Sequence, residues 1–381
     1  METIALDQFV EFRCIGSDCP YTCCGGNWRI DIDEKTDQFY QSCEGEFGEF
    51  LNKMIVRKDG KAMFRLTAAG KCPLQDVNGL CSIQIAYGAE HLCDTCRVYP
   101  RQHRFYQNMM ISHMTLSCPE VARELLQRKT SLHVLQRELN EPDRIPETEA
   151  VRIRRKAFRA AIRILQDREC TITQRQRLFL LMSQAVQEAI DAEDYSKADK
   201  LLVAFSTPEQ YRALAADVGS RGDAAGKIVF LRKFSTLLMT ENKNGQLPEI
   251  YRRAITYLQD PTADLAAFAE YLSRADAKKQ QRAMENLLVG LLPGKYISGF
   301  ADGNLFRQAI FVLIEAQLYR IFSAVGYAGG AKEEDDRRDS LVVSYVARYF
   351  DHSRPEIREQ LDRLILEQGL TDLDFLFRLI A

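Results

Sequence analysis

The chain has 381 residues, of which 46% are hydrophobic and 27% are charged, and its 51 Lys and Arg residues nearly balance 53 Asp and Glu residues. This composition is typical of a soluble globular protein with one large or two smaller domains. The net charge of −2 gives no indication of nucleic-acid binding, and a single Trp argues against a platform for stacking bases.

The beginning of the chain carries no targeting pattern. Residues 1–9 contain two acidic residues and no basic segment followed by an apolar one, unlike a secretory signal peptide. No segment reaches the roughly 18 consecutive apolar residues of a membrane helix, and Glu315 interrupts the apolar stretch at residues 311–314. We therefore predict a cytoplasmic protein without a membrane partner, in which cysteines stay reduced.

The predicted elements change in character near residue 118. Before it, Gly, Pro and Cys interrupt short segments, and one strand is predicted at residues 28–32, where apolar and polar residues alternate. After Pro119, apolar residues recur at helical spacing, first at Ala122, Leu125, Leu126, Leu132, Leu135 and Leu139. A helix is predicted to begin near Pro146. Further helices are predicted at residues 172–192, 194–217, 224–241, 247–258, 261–291, 303–324, 339–350, 354–367 and 371–380.

The predicted fold class is mainly α. We expect a small, irregular, cysteine-rich metal-binding unit at residues 1–120 and a large all-α helical region at residues 121–381. Because the first unit has few regular elements and little apolar core, a bound metal would explain how it holds together.

Ten of the 11 cysteines lie in the first 118 residues, and only Cys170 lies outside. Cysteine is usually a scattered, buried, small apolar residue, so this density needs a chemical cause. Disulfides, a metal or iron–sulfur site, and redox-active thiols are the options. A reducing compartment and an odd cysteine count argue against disulfides and favour metal ligation by thiolates.

The candidate metal ligands lie in short motifs rich in Gly and Pro, which suit tight turns around a metal. They are Cys19, Cys23 and Cys24, then Cys72 and Cys81, then Cys93 and Cys96. Zinc sites usually take two close pairs of cysteines, and iron–sulfur clusters take four with looser spacing. The spacing leaves open both the metal and the choice of four ligands.

Four spaced motifs together resemble those of the flagellin lysine-N-methylases, the FliB family. The motifs are CPYTCCGGNWRI at residues 19–30, CPL at 72–74 with GLCSIQ at 79–84, CDTCRVYPR at 93–101, and SCPE at 117–120. The first hundred residues resemble more broadly the zinc- or iron-chelating CxxCxxCC superfamily. The resemblance implies a bacterial cytoplasmic enzyme that transfers methyl groups from S-adenosylmethionine to lysine amines of flagellin. It also implies a 4Fe–4S cluster, with zinc as the alternative metal.

The donor site of such an enzyme is not evident in the sequence. A strand followed by a glycine-rich loop is missing, because the glycines at 219, 222 and 226 follow a helical segment. Arg97 and Arg101 flank the third cysteine motif and are candidate partners of the donor carboxylate. A cluster iron with an open position could anchor the donor instead, or the cluster could be purely structural.

Five basic residues share one predicted helix face: Arg152, Arg155, Lys156, Arg159 and Arg163. A solvated face is one interpretation, and a docking stripe for an acidic partner is the other. Two functions fit the whole chain. One is a lysine N-methyltransferase acting on flagellin, and the other is a non-catalytic, metal-stapled binding or chaperone module for a protein partner.

Overall fold

The structure is a computed structural model of the chain. It describes residues 2–19, 21–25, 29–138, 145–217, 277–298, 303–328, 336–352 and 372–380, together with residues 252, 256, 257, 259, 260, 271, 359, 360 and 363.

The chain forms two compact units that are nested in sequence. Glu11–Gln102 forms one, here called the cysteine-rich unit, and Met1–Val10 with His103–Ala381 forms the other, the helical unit. The sequence predicts a boundary at residue 120, whereas Cys118 belongs with the helical unit. The ring centroids of Phe9 and His103 lie 5.4 Å apart, so the chain leaves and re-enters the helical unit at neighbouring points.

The cysteine-rich unit contains a small antiparallel sheet and short helices. The strands β2 (Asp31–Ile32), β3 (Ile55–Lys58) and β4 (Lys61–Phe64) have the order β2-β4-β3. An Asp-Gly turn with positive φ at both residues joins β3 to β4, as tight hairpins require. The helices are α2 (Glu34–Ser42), α3 (Gly45–Lys53), α4 (Ser82–Tyr87) and α5 (Asp94–Val98). Tyr40, Leu51, Leu74, Ile83 and Cys93 are buried in its core.

The helical unit holds a four-stranded sheet with the order β5-β6-β1-β7. Its strands are β1 (Glu2–Leu6), β5 (Arg101–Tyr106), β6 (Met109–Met114) and β7 (Val134–Glu138). β1 pairs parallel with β6 and antiparallel with β7. The helical spacing read through Leu132 and Leu135 is therefore wrong, because pairing with β1 decides the conformation of that segment.

Helices account for most of the rest of the described chain, and the mainly α fold class is confirmed. The helices are α1 (Asp7–Glu11), α6 (Pro119–Gln127), α7 (Glu149–Leu165), α8 (Ile172–Asp191), α9 (Tyr195–Ala204), α10 (Pro208–Asp217), α11 (Ala277–Leu291), α12 (Leu305–Ala328), α13 (Asp336–His352) and α14 (Leu373–Ile380). Residues 194–217 form two helices rather than the one predicted. The predictions at 224–241, 247–258 and 354–367 lie outside the described residues, isolated positions apart, as does the loop at 219–226.

Helix α12 is the apolar centre of this unit. Among the described residues, its segment Leu305–Gly326 is the one stretch long and apolar enough to cross a membrane by length and composition. Of its most apolar window, 89% is buried inside the protein, where it packs against α8 and α13. The apolar surface of α12 is thus covered by the protein's own helices.

Candidate functional site

At least six of the seven predicted metal ligands interact with one another in the cysteine-rich unit. The thiol of Cys24 is hydrogen-bonded to that of Cys23, and the thiol of Cys96 to that of Cys93. Each of these thiols also interacts electrostatically with others of the same group. The six are Cys23, Cys24, Cys72, Cys81, Cys93 and Cys96, here called the thiol group. The seventh predicted ligand, Cys19, is half-buried and follows a short helical turn at Gly16–Asp18.

Backbone contacts hold the segments of the thiol group together. The N–H of Cys72 donates to the carbonyl of Cys24 at 2.7 Å. Cys81 and Cys93 occupy the positions directly before α4 and α5, without a side-chain capping hydrogen bond. The N–H of Cys96 donates to the carbonyl of Cys93 at 3.0 Å, so the C-x2-C spacing forms one helical turn with both thiols on one side.

Four of the six thiols, those of Cys24, Cys72, Cys81 and Cys96, favour the neutral form in this environment. Burial raises the pKa of Cys72 to about 11 and also raises the pKa of Cys81. Hydrogen bonding to Cys23 and burial raise the pKa of Cys24, and hydrogen bonding to Cys93 with burial raises that of Cys96. The hydrogen bond from Cys96 lowers the pKa of Cys93. A bound cation reverses this balance, because metal ligation stabilises thiolates.

The donor chemistry of the thiol group fits a thiolate-bound metal. All 11 cysteines are free thiols, and Cys72 and Cys93 are buried beside the core of their unit. Thiolates are the usual ligands of structural zinc and of iron–sulfur clusters. In the part of the chain that the structure describes, no three His, Cys, Asp or Glu side chains are already arranged to hold a metal ion. The ligand set therefore stays a prediction.

Arg97 and Arg101, the predicted partners of a donor carboxylate, both contact protein groups. The exposed guanidinium of Arg97 forms an ion pair with Asp94. The guanidinium of Arg101 donates to the carbonyl of Phe12 at 2.8 Å and lies over its ring. Their role toward a methyl donor also stays a prediction.

The basic face of α7 is bound to the protein's own surface. Arg155 pairs with Glu2 at 2.7 Å and with Glu147 at 2.8 Å. The other four basic residues make six contacts: Arg152 with Glu149 and Asp199, Lys156 with Asp199, Arg159 with Glu2 and Gln136, and Arg163 with the carbonyl of Ser206. These intramolecular contacts provide partners for all five basic side chains, while Lys156 and Arg159 also remain exposed. The docking stripe stays a prediction.

The helical unit also buries a charged group that sequence reasoning missed. The ammonium of Lys295 forms an ion pair with Asp351 and lies 3.3 Å from the carboxylate of Glu315. The hydroxyl of Thr115 donates to Asp351 at 3.1 Å. Burial raises the pKa of Glu315 to about 7 and lowers that of His113 to about 4. The interruption of an apolar stretch by Glu315 was the available signal.

Comparison with known proteins gives one family and a few relatives. The model of the FliB lysine N-methylase C-terminal domain matches residues 159–379. The flagellar biosynthetic protein FliU of Salmonella muenchen is 32% identical over 131 residues, which cover 32% of this chain and 77% of that protein. Proteins named lysine-N-methylase in Salmonella typhimurium and Salmonella choleraesuis are each 31% identical over 131 residues, or 32% of either chain. The match thus spans about a third of these two relatives. No solved structure matches.

Proposed function

The chain belongs to the FliB lysine N-methylase family, and from that premise we propose that it is an S-adenosylmethionine-dependent protein-lysine N-methyltransferase acting on flagellin. The observation that carries the proposal is the family match over residues 159–379, more than half of the chain. The names of the relatives, lysine-N-methylase and flagellar biosynthetic protein, support a flagellar protein as the substrate. Flagellin is made inside the cell, so the proposed site of action is the bacterial cytoplasm.

A 4Fe–4S cluster bound by four cysteines of the thiol group forms part of the proposal. The mutual contacts of these thiols and their buried surroundings support it. When bound, such a cluster supplies iron centres that each take one thiolate. The cysteines would then tie residues 23–24, 72–81 and 93–96 into one body, and zinc would tie the same segments with four ligands.

The reaction is a polar displacement. The neutral ε-amine of lysine forms an N–C bond with the methyl carbon as the C–S bond breaks. The sulfonium of the donor becomes a neutral thioether, and the methylated ammonium releases one proton to a base or to water. The protein must align the two reactants and favour the neutral amine, which a desolvated site does by lowering the lysine pKa.

Methyl transfer to purified flagellin tests the proposal. The full chain, prepared without oxygen, is incubated with flagellin and S-adenosylmethionine labelled in the methyl group, and mass spectrometry locates methylated lysines. Flagellin with acetylated lysines is the control and should take up no label. Methylation of other proteins but not of flagellin would show that flagellin is not the substrate. Binding of flagellin without any transfer would favour the non-catalytic binding module.

A further inference from the structure

A cavity of about 180 Å³ lies in the helical unit, and α8, α11 and α12 all contribute to its walls. Its polar lining includes Gln280 and Gln281 from α11 and Tyr319 and Arg320 from α12. The described part of its lining contains no carboxylate. The cavity therefore has a mixed apolar and polar lining with a single formal charge on its described walls, and that charge is positive.

Arg320 lines this cavity, and its side chain is half-buried. Burial lowers the pKa of its guanidinium, and Tyr271 acts weakly in the opposite direction. No hydrogen bond or ion pair joins Arg320 to any residue that the structure describes. A half-buried guanidinium that pairs with no carboxylate of the described residues is partly desolvated, and an incoming anion offsets that cost. A carboxylate is well suited, because its two oxygens accept the parallel N–H bonds of a guanidinium.

The remaining walls suit the apolar and cationic parts of a ligand. Tyr271 and Tyr319 provide aromatic rings, and Met284 provides a thioether. Aromatic faces attract cations, including sulfonium and ammonium groups. The amides of Gln280 and Gln281 offer hydrogen-bond donors and acceptors. A carboxylate, a short apolar chain and a positive charge together describe a zwitterionic amino acid.

Hydrogen bonds fix the walls in place without a ligand. The side-chain amide of Gln317 on α12 donates to that of Gln176 on α8 at 2.7 Å. Gln176 in turn donates to the carbonyl of Ile172, which lines the cavity. A capping box between Thr171 and Gln174 fixes the beginning of α8. The site is thus largely preformed, as ligand pockets usually are.

We propose that this cavity binds the amino-acid end of S-adenosylmethionine, with Arg320 pairing with its carboxylate. The inference rests on the proposed function, which requires a methyl donor. The cavity is smaller than the roughly 300 Å³ of sites that enclose a whole drug-sized ligand, so it takes one end of the donor. The carboxylate then binds in the helical unit rather than at Arg97 and Arg101.

Calorimetry on the full chain tests the pairing with two ligands, S-adenosylmethionine and its decarboxylated form. Arg320→Met should weaken S-adenosylmethionine binding at least about tenfold, because a charge-assisted hydrogen-bonded pair is lost. The same variant should bind the decarboxylated ligand as the wild type does, since that ligand has no carboxylate. Arg320→Lys keeps the charge but not the bidentate geometry, so its affinity for S-adenosylmethionine should lie between those of the wild type and Arg320→Met. Arg307→Met changes an exposed arginine on the same helix and should leave both affinities unchanged.

The outcomes distinguish failure of the proposed donor site from failure of the proposed function. Equal affinities of wild type and Arg320→Met for S-adenosylmethionine would overturn the site, and so would equal weakening for both ligands, which indicates a structural role. If Arg97→Met instead weakens binding of S-adenosylmethionine but not of its decarboxylated form, the carboxylate binds in the cysteine-rich unit. Absence of donor binding by the wild type would overturn the proposed function itself. Thermal unfolding checks the fold, and Arg320→Gln repeats the test if the Met variant does not fold.

Discussion

The guanidinium of Arg175 donates to the carboxylate of Glu285 at 2.8 Å, and each side chain is only 2% exposed. The same guanidinium donates to the carbonyls of Cys170 at 2.8 Å and Leu165 at 3.1 Å. Arg168 also pairs with Glu285, at 2.9 Å, but its side chain is 48% exposed. One carboxylate therefore accepts from a buried arginine and an exposed one, and joins α8 to α11 beside the cavity.

This arrangement predicts unequal costs for two similar substitutions. Arg175→Met should lower the free energy of unfolding by about 3 kcal/mol, because it removes three buried hydrogen bonds and leaves part of the Glu285 charge uncompensated. Arg168→Met should cost about 0–1 kcal/mol, since water replaces the exposed partner. Urea unfolding of both variants measures the difference. Equal losses would show that burial does not decide the strength of these two pairs.

His113 and Glu315 should make stability depend on pH in opposite directions. Burial raises the pKa of Glu315 in the folded protein to about 7. In the unfolded chain the pKa of this carboxyl is 4.5, so between pH 4.5 and pH 7 only the folded state keeps the proton. The contribution of Glu315 to stability is therefore complete below pH 4.5 and is lost as the pH rises through 7. Folded His113, with its pKa lowered to about 4 by burial, stays neutral where the unfolded chain takes up a proton below 6.5. Its contribution is present above 6.5 and is lost as pH falls toward 4.

Two variants separate these contributions. The difference in unfolding free energy between wild type and Glu315→Gln should decrease by roughly 2 kcal/mol from pH 5 to pH 7.5. The difference between wild type and His113→Gln should increase over the same range. Urea unfolding at several pH values measures both differences. The charged neighbours Lys295, Asp351 and Arg104 are unchanged in both variants. Parallel slopes for the two variants would contradict the assignment.

The thiol group predicts which cysteines matter for metal content. Cys96→Ala should lose bound iron and lower the stability of the cysteine-rich unit, because ligation supplies folding free energy. Cys43→Ala is the matched control in the same unit, since the Cys43 thiol donates to the carbonyl of Phe39 instead. Iron, sulfide and zinc analysis of protein prepared without oxygen measures the effect. Iron loss from Cys43→Ala as well would show that the ligand assignment is wrong, and stoichiometric zinc without sulfide would replace the cluster by a zinc site.

The ion pairs of α7 predict an effect on stability rather than on partner binding. Arg155→Met should cost about 1–2 kcal/mol, because Arg155 joins two largely buried carboxylates, of Glu2 and Glu147. Lys156→Met should cost less than about 0.5 kcal/mol, since its partner Asp199 keeps the ion pair with Arg152. Urea unfolding distinguishes them. If Arg155→Met leaves stability unchanged but binds flagellin more weakly and with stronger salt dependence, the basic face of α7 is a docking surface for an acidic partner.

The position of Arg320 predicts that donor binding survives removal of the metal. Chelated full-length protein whose helices stay folded by circular dichroism should bind S-adenosylmethionine with nearly unchanged affinity. The physical reason is that the proposed carboxylate partner lies in the helical unit, whereas the thiol group lies in the cysteine-rich unit. Calorimetry before and after chelation measures it. Loss of donor binding on chelation, with the helices intact, would favour anchoring by the cluster.

The spacing of residues along the sequence predicts some features of this protein but not others. The C-x2-C pair at Cys93 and Cys96 was visible because a helical turn brings residues three apart together. The pairing of β1 with β6 was not, because about a hundred residues separate the two strands and no local pattern encodes a parallel partner. The position of Arg320 was not predictable for a similar reason, since the packing of α8, α11 and α12 forms the cavity that it lines.

Strand β1 occupies an interior position in its sheet, yet both of its neighbours follow much later in sequence. On the ribosome, Glu2–Leu6 is translated well before its sheet partners, which lie at residues 109–138. Glu11–Gln102, with nine of the 11 cysteines, is synthesised entirely within that interval. The whole cysteine-rich unit is therefore available for folding, and for binding any metal, before β6 and β7 are translated and the sheet of the helical unit can be completed.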